Sequence, residues 1–262
     1  MNKAPSIIRS RKISQIISLV VINSYFFQNQ LKFIPCPGLN CASCPLAIFA
    51  CPIGSLQHFM VIQAFPFYII GVIILLGLLF GRAICGWVCP FGFIQEILYK
   101  IPVPKKKVAA NSLTPYIVLL FLVIITPLIA REPWFCKLCP VGTLQAGISL
   151  ILTQPQLRSL IGPLYWTKIF ILMIVLILST LSFRPFCKLA CPLGAIYGLF
   201  NRISIIRVDA LKACSSCQKC PDLCQMGLNP MRDSNGRACI KCFECSQCKN
   251  FPSQAFRGPK AS

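Results

Sequence analysis

The chain has 262 residues, of which 56% are hydrophobic and only 12% charged; a soluble domain carries about 25% charged residues, so an ordinary water-soluble domain is excluded and the bilayer is indicated. The net charge of +20 accompanies long charge-free runs, which argues against a nucleic-acid binder and for anchoring at the cytoplasmic face of a membrane. Eighteen cysteines stand against one histidine, His58, and six acids; haem b and non-haem iron sites draw on several histidines, so thiolate is the only soft ligand in quantity.

In chain order, Arg9, Arg11 and Lys12 precede an uncharged run over 13–31. No A-x-A-like cleavage site follows, so the run reads as an uncleaved first membrane helix. Uncharged runs over 59–81 and 108–130 and a shorter one over 169–183, extended by Trp166 and Lys168, give three more spans. Lys and Arg crowd the N-terminal flank, the second loop (Arg82, Lys100, Lys105, Lys106, Lys107) and the tail from Arg184. Both termini and the second loop are therefore expected in the cytoplasm of a prokaryote, beneath its inner membrane, with the first and third loops outside.

A phrase recurs: CPIGSLQ at Cys51, CPFGFIQ at Cys89, CPVGTLQ at Cys139 and CPLGAIY at Cys191. Three copies have a second cysteine upstream, Cys85, Cys136 and Cys187, and an arginine before that, Arg82, Arg131 and Arg184. Proline is favoured at the first position of a helix, which puts the preceding cysteine at a helix N-terminus, where free N–H groups favour a thiolate. Cys85, Cys89, Cys187 and Cys191 lie at the inner ends of their spans and supply the four thiolates of one [4Fe–4S] cluster. The outer loops hold six cysteines. The expected second set is Cys44, Cys51, Cys136 and Cys139, with Cys36 and Cys41 as alternative outer-site ligands.

From Cys214 the spacing C-x2-C-x2-C-x3-C over Cys214, Cys217, Cys220 and Cys224 is that of bacterial ferredoxins. A second run follows at Cys239, Cys242, Cys245 and Cys248. In two-cluster ferredoxins the fourth cysteine of a run serves the other cluster, so the expected sets are Cys214, Cys217, Cys220, Cys248 and Cys239, Cys242, Cys245, Cys224. The second run closes with x2 rather than x3, and neither run has proline after its fourth cysteine. The expected fold is an all-α polytopic membrane protein with about four transmembrane helices plus re-entrant or interfacial helices. It carries a small C-terminal ferredoxin-like α+β module. The expected divisions are 1–206, 207–250 and a tail over 251–262.

The Cys-x3-Cys-Pro pairs at 85–90 and 187–192, the four spans and the C-terminal cysteine repeat resemble the NapH/NosR-type membrane ferredoxins. The stretches CPGLNCASCPLAIFACPIGSLQ (36–57) and FCKLCPVGTLQAG (135–147) resemble a branch of that family in anaerobic prokaryotes. The resemblance implies [4Fe–4S] clusters and electron transfer across the membrane, between the quinone pool or a cytoplasmic donor and a redox partner. The expected partners are other subunits of a membrane redox complex, a soluble acidic ferredoxin or flavodoxin drawn to the basic tail, and quinol, for which His58 is the proton-accepting candidate. No dinucleotide fingerprint or nucleophile triad is present, so the chain reads as an electron-transfer subunit rather than a complete enzyme. The alternatives are an assembly or metal-reducing factor for another metalloenzyme and a redox sensor.

Overall fold

Proline sets where the helices start. In the computed structural model, which describes residues 4–24, 31–106, 113–156, 161–208, 223–229, 235–247 and 256–257, proline stands at the first position of α2 (Pro52–Val61), α5 (Pro90–Tyr99), α9 (Pro140–Gly142), α11 (Pro163–Leu181), α12 (Pro185–Leu189) and α13 (Pro192–Phe200). Its missing N–H costs nothing there and its φ is already helical. The remaining helices are α1 (Ala4–Ile22), α3 (Phe67–Phe80), α4 (Ala83–Trp87), α6 (Thr114–Val118), α7 (Thr126–Ala130), α8 (Trp134–Leu138) and α10 (Ile148–Thr153).

The apolar runs become helices, with bounds other than those expected. The first begins nine residues early and takes in Arg11, which is 1% exposed and bonds from Nε to the Gly86 carbonyl at 3.1 Å. It also pairs with Glu96 and, at 3.1 Å, with Glu244. Arg11 is thus an internal tie, not a flank at a membrane surface. The second run, 59–81, breaks in two. Proline disfavours helix at the residue before it, and Pro66 caps α3 while Gln63 takes a positive φ of 56°. The chain doubles back here, and α2 packs against α3. α3 keeps only 14 residues, about 21 Å at 1.5 Å per residue.

The third run forms one continuous helix, Thr114–Ala130, whose middle, Leu119–Ile125, is π-helical. Pro127 cannot donate and crowds the carbonyl four residues back. The wider turn absorbs it, and the Thr126 N–H and hydroxyl both reach the Phe121 carbonyl. A second π-helical turn, Thr143–Gly147, joins α9 to α10. α11 is 19 residues and apolar enough to cross a membrane by length and composition, about 28 Å long.

The core lies at the cysteine–proline corners, not along the shafts. Ile53, Ile84, Phe91, Phe135, Val141, Phe186 and Leu193 are buried there. The shafts of α3, α6 and α11 turn Leu75, Ile117, Phe170 and Ile177 outward, each more than half exposed. At the C-terminal end, β1 (Arg207–Val208) pairs antiparallel with β2 (Phe256–Arg257), which ties together the two ends of the last cysteine-rich stretch. Of the expected α+β module, the described residues hold this ladder and a 3₁₀ turn at Glu244–Gln247.

Candidate functional site

Cys51, Cys89, Cys139 and Cys191 are the N-caps of α2, α5, α9 and α13. At Cys191 the sulfur accepts the N–H of the glycine three residues on, Gly194, at 3.2 Å; the Gly54 and Gly142 backbones pull the Cys51 and Cys139 thiols down against burial. The recurring phrase is therefore a thiol held by the N–H groups of a helix start, which suits negative charge on sulfur.

Two corners face each other to form a first group, Cys85, Cys89, Cys187 and Cys191, all buried. The arginine of each corner crosses to the other. Arg82 donates from Nη2 to the Cys187 carbonyl at 2.6 Å, and Arg184 donates to the Cys85 carbonyl. The phrase glycines make room for them. A Cβ on Gly92 would lie 2.9 Å from Arg184 Nη1, and one on Gly194 would lie 3.2 Å from Arg82 Nη2. Glu96 neutralises Arg184 at 2.7 Å. Burial pushes the Cys85 thiol up to about 12, against the pull of Arg82. Burial also raises Cys187 and Cys191.

A second group joins the first loop to the α8–α9 corner. A Cβ on Gly54 would sit 3.5 Å from Cys136 Sγ, and one on Gly142 would sit 3.6 Å from Cys41 Sγ. On top of burial, Cys41 raises Cys51, and Cys41 and Cys51 both raise Cys136 and Cys139, which holds Cys139 at about 12, while Cys41 itself is raised by burial and by Cys44. The glutamine ending each phrase clasps the opposite corner: Gln57 Oε1 accepts from Cys136 N at 3.2 Å, and Gln145 Oε1 accepts from Cys41 N at 2.8 Å. Cys41 thus stands to Cys51 as Cys136 stands to Cys139. Cys44, expected in this set, is buried against Ala47 and Ala146. Cys36 is fully buried, and its pKa is raised to about 12 by burial and by Cys51 of the second group and Cys89 of the first. The two groups are therefore neighbours. The doubling back at Gln63–Pro66 returns the chain from Cys51 toward Cys85, where an unbroken span would have carried it to the opposite face.

The tail docks on the first group. The Ile240 carbonyl abuts Gly86, where a Cβ would come within 2.3 Å. Trp87 Nε1 donates to the Lys241 carbonyl at 3.0 Å, Arg82 to that of Arg237 at 2.7 Å, and Asn201 Nδ2 to that of Cys239 at 2.9 Å. Cys224, Cys239, Cys242 and Cys245 lie together on this side; on top of burial, Cys224 raises Cys239, and Cys224 and Cys239 raise Cys242 and Cys245. Lys188, brought down to about 8 by burial, stands between Cys187 and Cys224. Cys214, Cys217, Cys220 and Cys248 lie outside the described residues. Among the described residues no three His, Cys, Asp or Glu side chains are close enough to hold one metal ion.

A family model described as a 4Fe-4S binding domain matches residues 63–109, 113–155 and 165–209, about half the chain. An uncharacterised protein of Methanocaldococcus jannaschii is 32% identical over 192 residues, covering 68% of this chain and 73% of that protein. The chain belongs to this 4Fe-4S binding family. The methylamine utilization ferredoxin-type protein MauN of Methylorubrum extorquens is 29% identical over 55% of this chain and 47% of its own length. The regulatory protein NosR of Stutzerimonas stutzeri is 25% identical over 64% of this chain and 23% of its own length. No solved structure matches the chain.

The three family segments coincide with structural units. Each holds one apolar helix and the paired-cysteine corner that follows it: α3 with Cys85 and Cys89, α6–α7 with Cys136 and Cys139, α11 with Cys187 and Cys191. The fourth copy, at Cys51, and the tail cysteines fall outside the match. The clasping glutamines had been legible as the constant last letter of three phrases, and Gln95 follows the rule by accepting from Phe186 N at 3.3 Å and donating to Cys187 Sγ at 3.5 Å. The fourth phrase ends instead in Tyr197, which donates to the Pro37 carbonyl at 3.1 Å. His58 is exposed on α2. The apolar cavity beside the first group, about 620 Å³ and walled by Leu76, Phe80, Ile84, Trp87 and Phe243, does not include it.

Proposed function

We propose that the chain is a polytopic membrane protein that relays electrons through cysteine-bound [4Fe–4S] clusters, as one subunit of a larger redox complex. Cys85, Cys89, Cys187 and Cys191 hold one cluster. Cys41, Cys51, Cys136 and Cys139 hold a second. Cys239, Cys242 and Cys245 with Cys224 hold a third, and the set Cys214, Cys217, Cys220 and Cys248 a fourth. A bound cluster supplies a one-electron centre whose potential follows charge, hydrogen bonding and burial.

The chain's own residues do the rest. Arg82 and Arg184 bring positive charge to the first group and lock its two corners together. Helix starts and glutamine clasps orient the thiols. Residues 1–206 form the membrane domain and 207–250 the docked module, with the tail over 251–262. The exposed apolar shafts support burial in lipid, since a soluble surface seldom leaves such large apolar patches open.

The observation that carries the reading is the contact of the Cys239–Cys242 stretch with the Cys85–Cys89 stretch, through the Ile240 carbonyl at Gly86 and the Lys241 carbonyl at Trp87. A soluble donor at the basic module and a quinol in the cavity beside Ile84 and Trp87 are the partners this arrangement favours. The test is iron and acid-labile sulfide per chain after anaerobic purification in detergent, with EPR of the reduced protein. About sixteen iron with interacting cubane signals supports four clusters. About eight confines clusters to the module, and zinc without sulfide overturns the reading.

A further inference from the structure

Cys36 and Tyr197 have no place among the proposed ligands, yet both are fully buried between the two membrane-domain groups. Cys36 N donates to the Ala50 carbonyl at 2.7 Å, and Pro35 bridges to Ala50, so this strand end is fastened next to Cys51. Two residues on, Gly38 lies against Cys89. A Cβ there would stand 3.1 Å from Cys89 Cα, so a larger residue fits only if the two segments give by a few tenths of an ångström. Between them the Pro37 carbonyl takes the hydrogen bond of Tyr197, a residue of the helix that Cys191 caps. Three consecutive residues thus touch the second group at one end and the first at the other, and a buried aromatic ring from the first group's own helix is bonded to their centre. The ring is fully buried, on the helix that Cys191 caps, with its hydroxyl donated to the chain that joins Cys36 to Gly38.

We infer that Tyr197 and the turn Cys36–Pro37–Gly38 form the bridge that fixes the spacing of the two membrane-domain groups and joins them for electron exchange. The inference rests on the reading that both groups hold clusters. Tyr197 is a positioning residue here: it binds no iron itself, and it takes the place that a clasping glutamine fills in the other three phrases. In each exchange one group is oxidised by one electron and the other reduced by one, with dithionite as the external reductant in the test below.

The experiment compares the full chain with Tyr197→Phe, Tyr197→Leu and Gly38→Ala, with Leu199→Ala, exposed on the same helix, as control. Three quantities are read: iron and sulfide per chain, the spin–spin interaction between reduced clusters by EPR, and the rate of electron redistribution by freeze-quench after substoichiometric dithionite. Tyr197→Phe is expected to keep its iron, weaken the interaction and slow redistribution by on the order of tenfold, the effect on a rate of losing one buried hydrogen bond that sets geometry. Gly38→Ala is expected to do the same from the other side, and Leu199→Ala to change neither. Unchanged interaction and rate in iron-replete Tyr197→Phe and Gly38→Ala overturn the bridge alone. Absence of a second-group signal from the unaltered protein overturns the cluster reading of that group, and the bridge with it.

Discussion

Replacing Glu96 by glutamine tests the electrostatic frame of the first group. Glu96 is one carboxylate serving two cations, Arg184 at 0% and Arg11 at 1% exposure. Glutamine keeps the shape and one acceptor but removes the charge, leaving two buried guanidinium groups without their common counter-ion. Breaking a buried pair by removing one partner costs about 3–5 kcal/mol, and the remaining amide oxygen puts Glu96→Gln near the lower end. At about 2–4 °C per kcal/mol for a chain of this size, the midpoint of thermal unfolding in detergent should fall by roughly 6–12 °C. The internal standard is Glu132→Gln, which breaks an exposed pair with Lys137 at 2.7 Å; such pairs are worth under about 1 kcal/mol. Arg184 also holds the Cys85 carbonyl, so Glu96→Gln should lower iron retention while Glu132→Gln does not. Equal midpoints and equal iron in the two variants would refute the argument that Glu96 braces the arginine crossing.

Gly92→Ala and Gly194→Ala drive a methyl group into the crossing arginines and should each destabilise by about 1–3 kcal/mol, as overpacking does; Gly162→Ala, with open space around it, should not, and chemical denaturation compares the three. Cys41→Ser should remove about four iron per chain if a four-iron cluster is lost whole, and Cys44→Ser none, by iron assay; the reverse result would restore the ligand set expected from the spacing. Gln57→Leu and Gln145→Leu should each weaken the second group's EPR signal while leaving the first group's intact. Reduction by an acidic ferredoxin should slow as salt rises, because the basic surface steers encounter, and stopped-flow rates between low and high ionic strength measure this.

What could be read from the residues was whatever depends on local chemistry. Cys-Pro-x-Gly announces a helix start, and all four copies are helix starts, because proline's fixed φ and absent N–H act within one turn. Cys85 and Cys89 were expected beside Cys187 and Cys191 because both pairs follow spans that end on the same face, and the structure brings the two corners together. What could not be read depended on where the chain turns back. An uncharged run over 59–81 looks like one span by composition, and only Pro66 and the left-handed Gln63 divide it. Because the break is conformational, hydropathy is silent about it. The hold of Gln145 on Cys41, 104 positions away, was hidden for another reason: its partner is a backbone N–H that carries no sequence signature.

The corners that meet alternate along the chain: the first loop joins the corner at 136–139, while the corner at 85–89 waits for the one at 187–191. The two closures interlock rather than nest. During synthesis the second group has all its thiols once residue 139 has emerged, but the first stays half-built for another fifty residues, with Arg82 lacking the carbonyl it will hold. Nor can the tail dock before Arg184 arrives to complete its landing surface. A nascent chain therefore carries unpaired buried-type thiols for most of its synthesis. Its maturation has a built-in order in which the group nearest the N-terminus comes first and the docking module last.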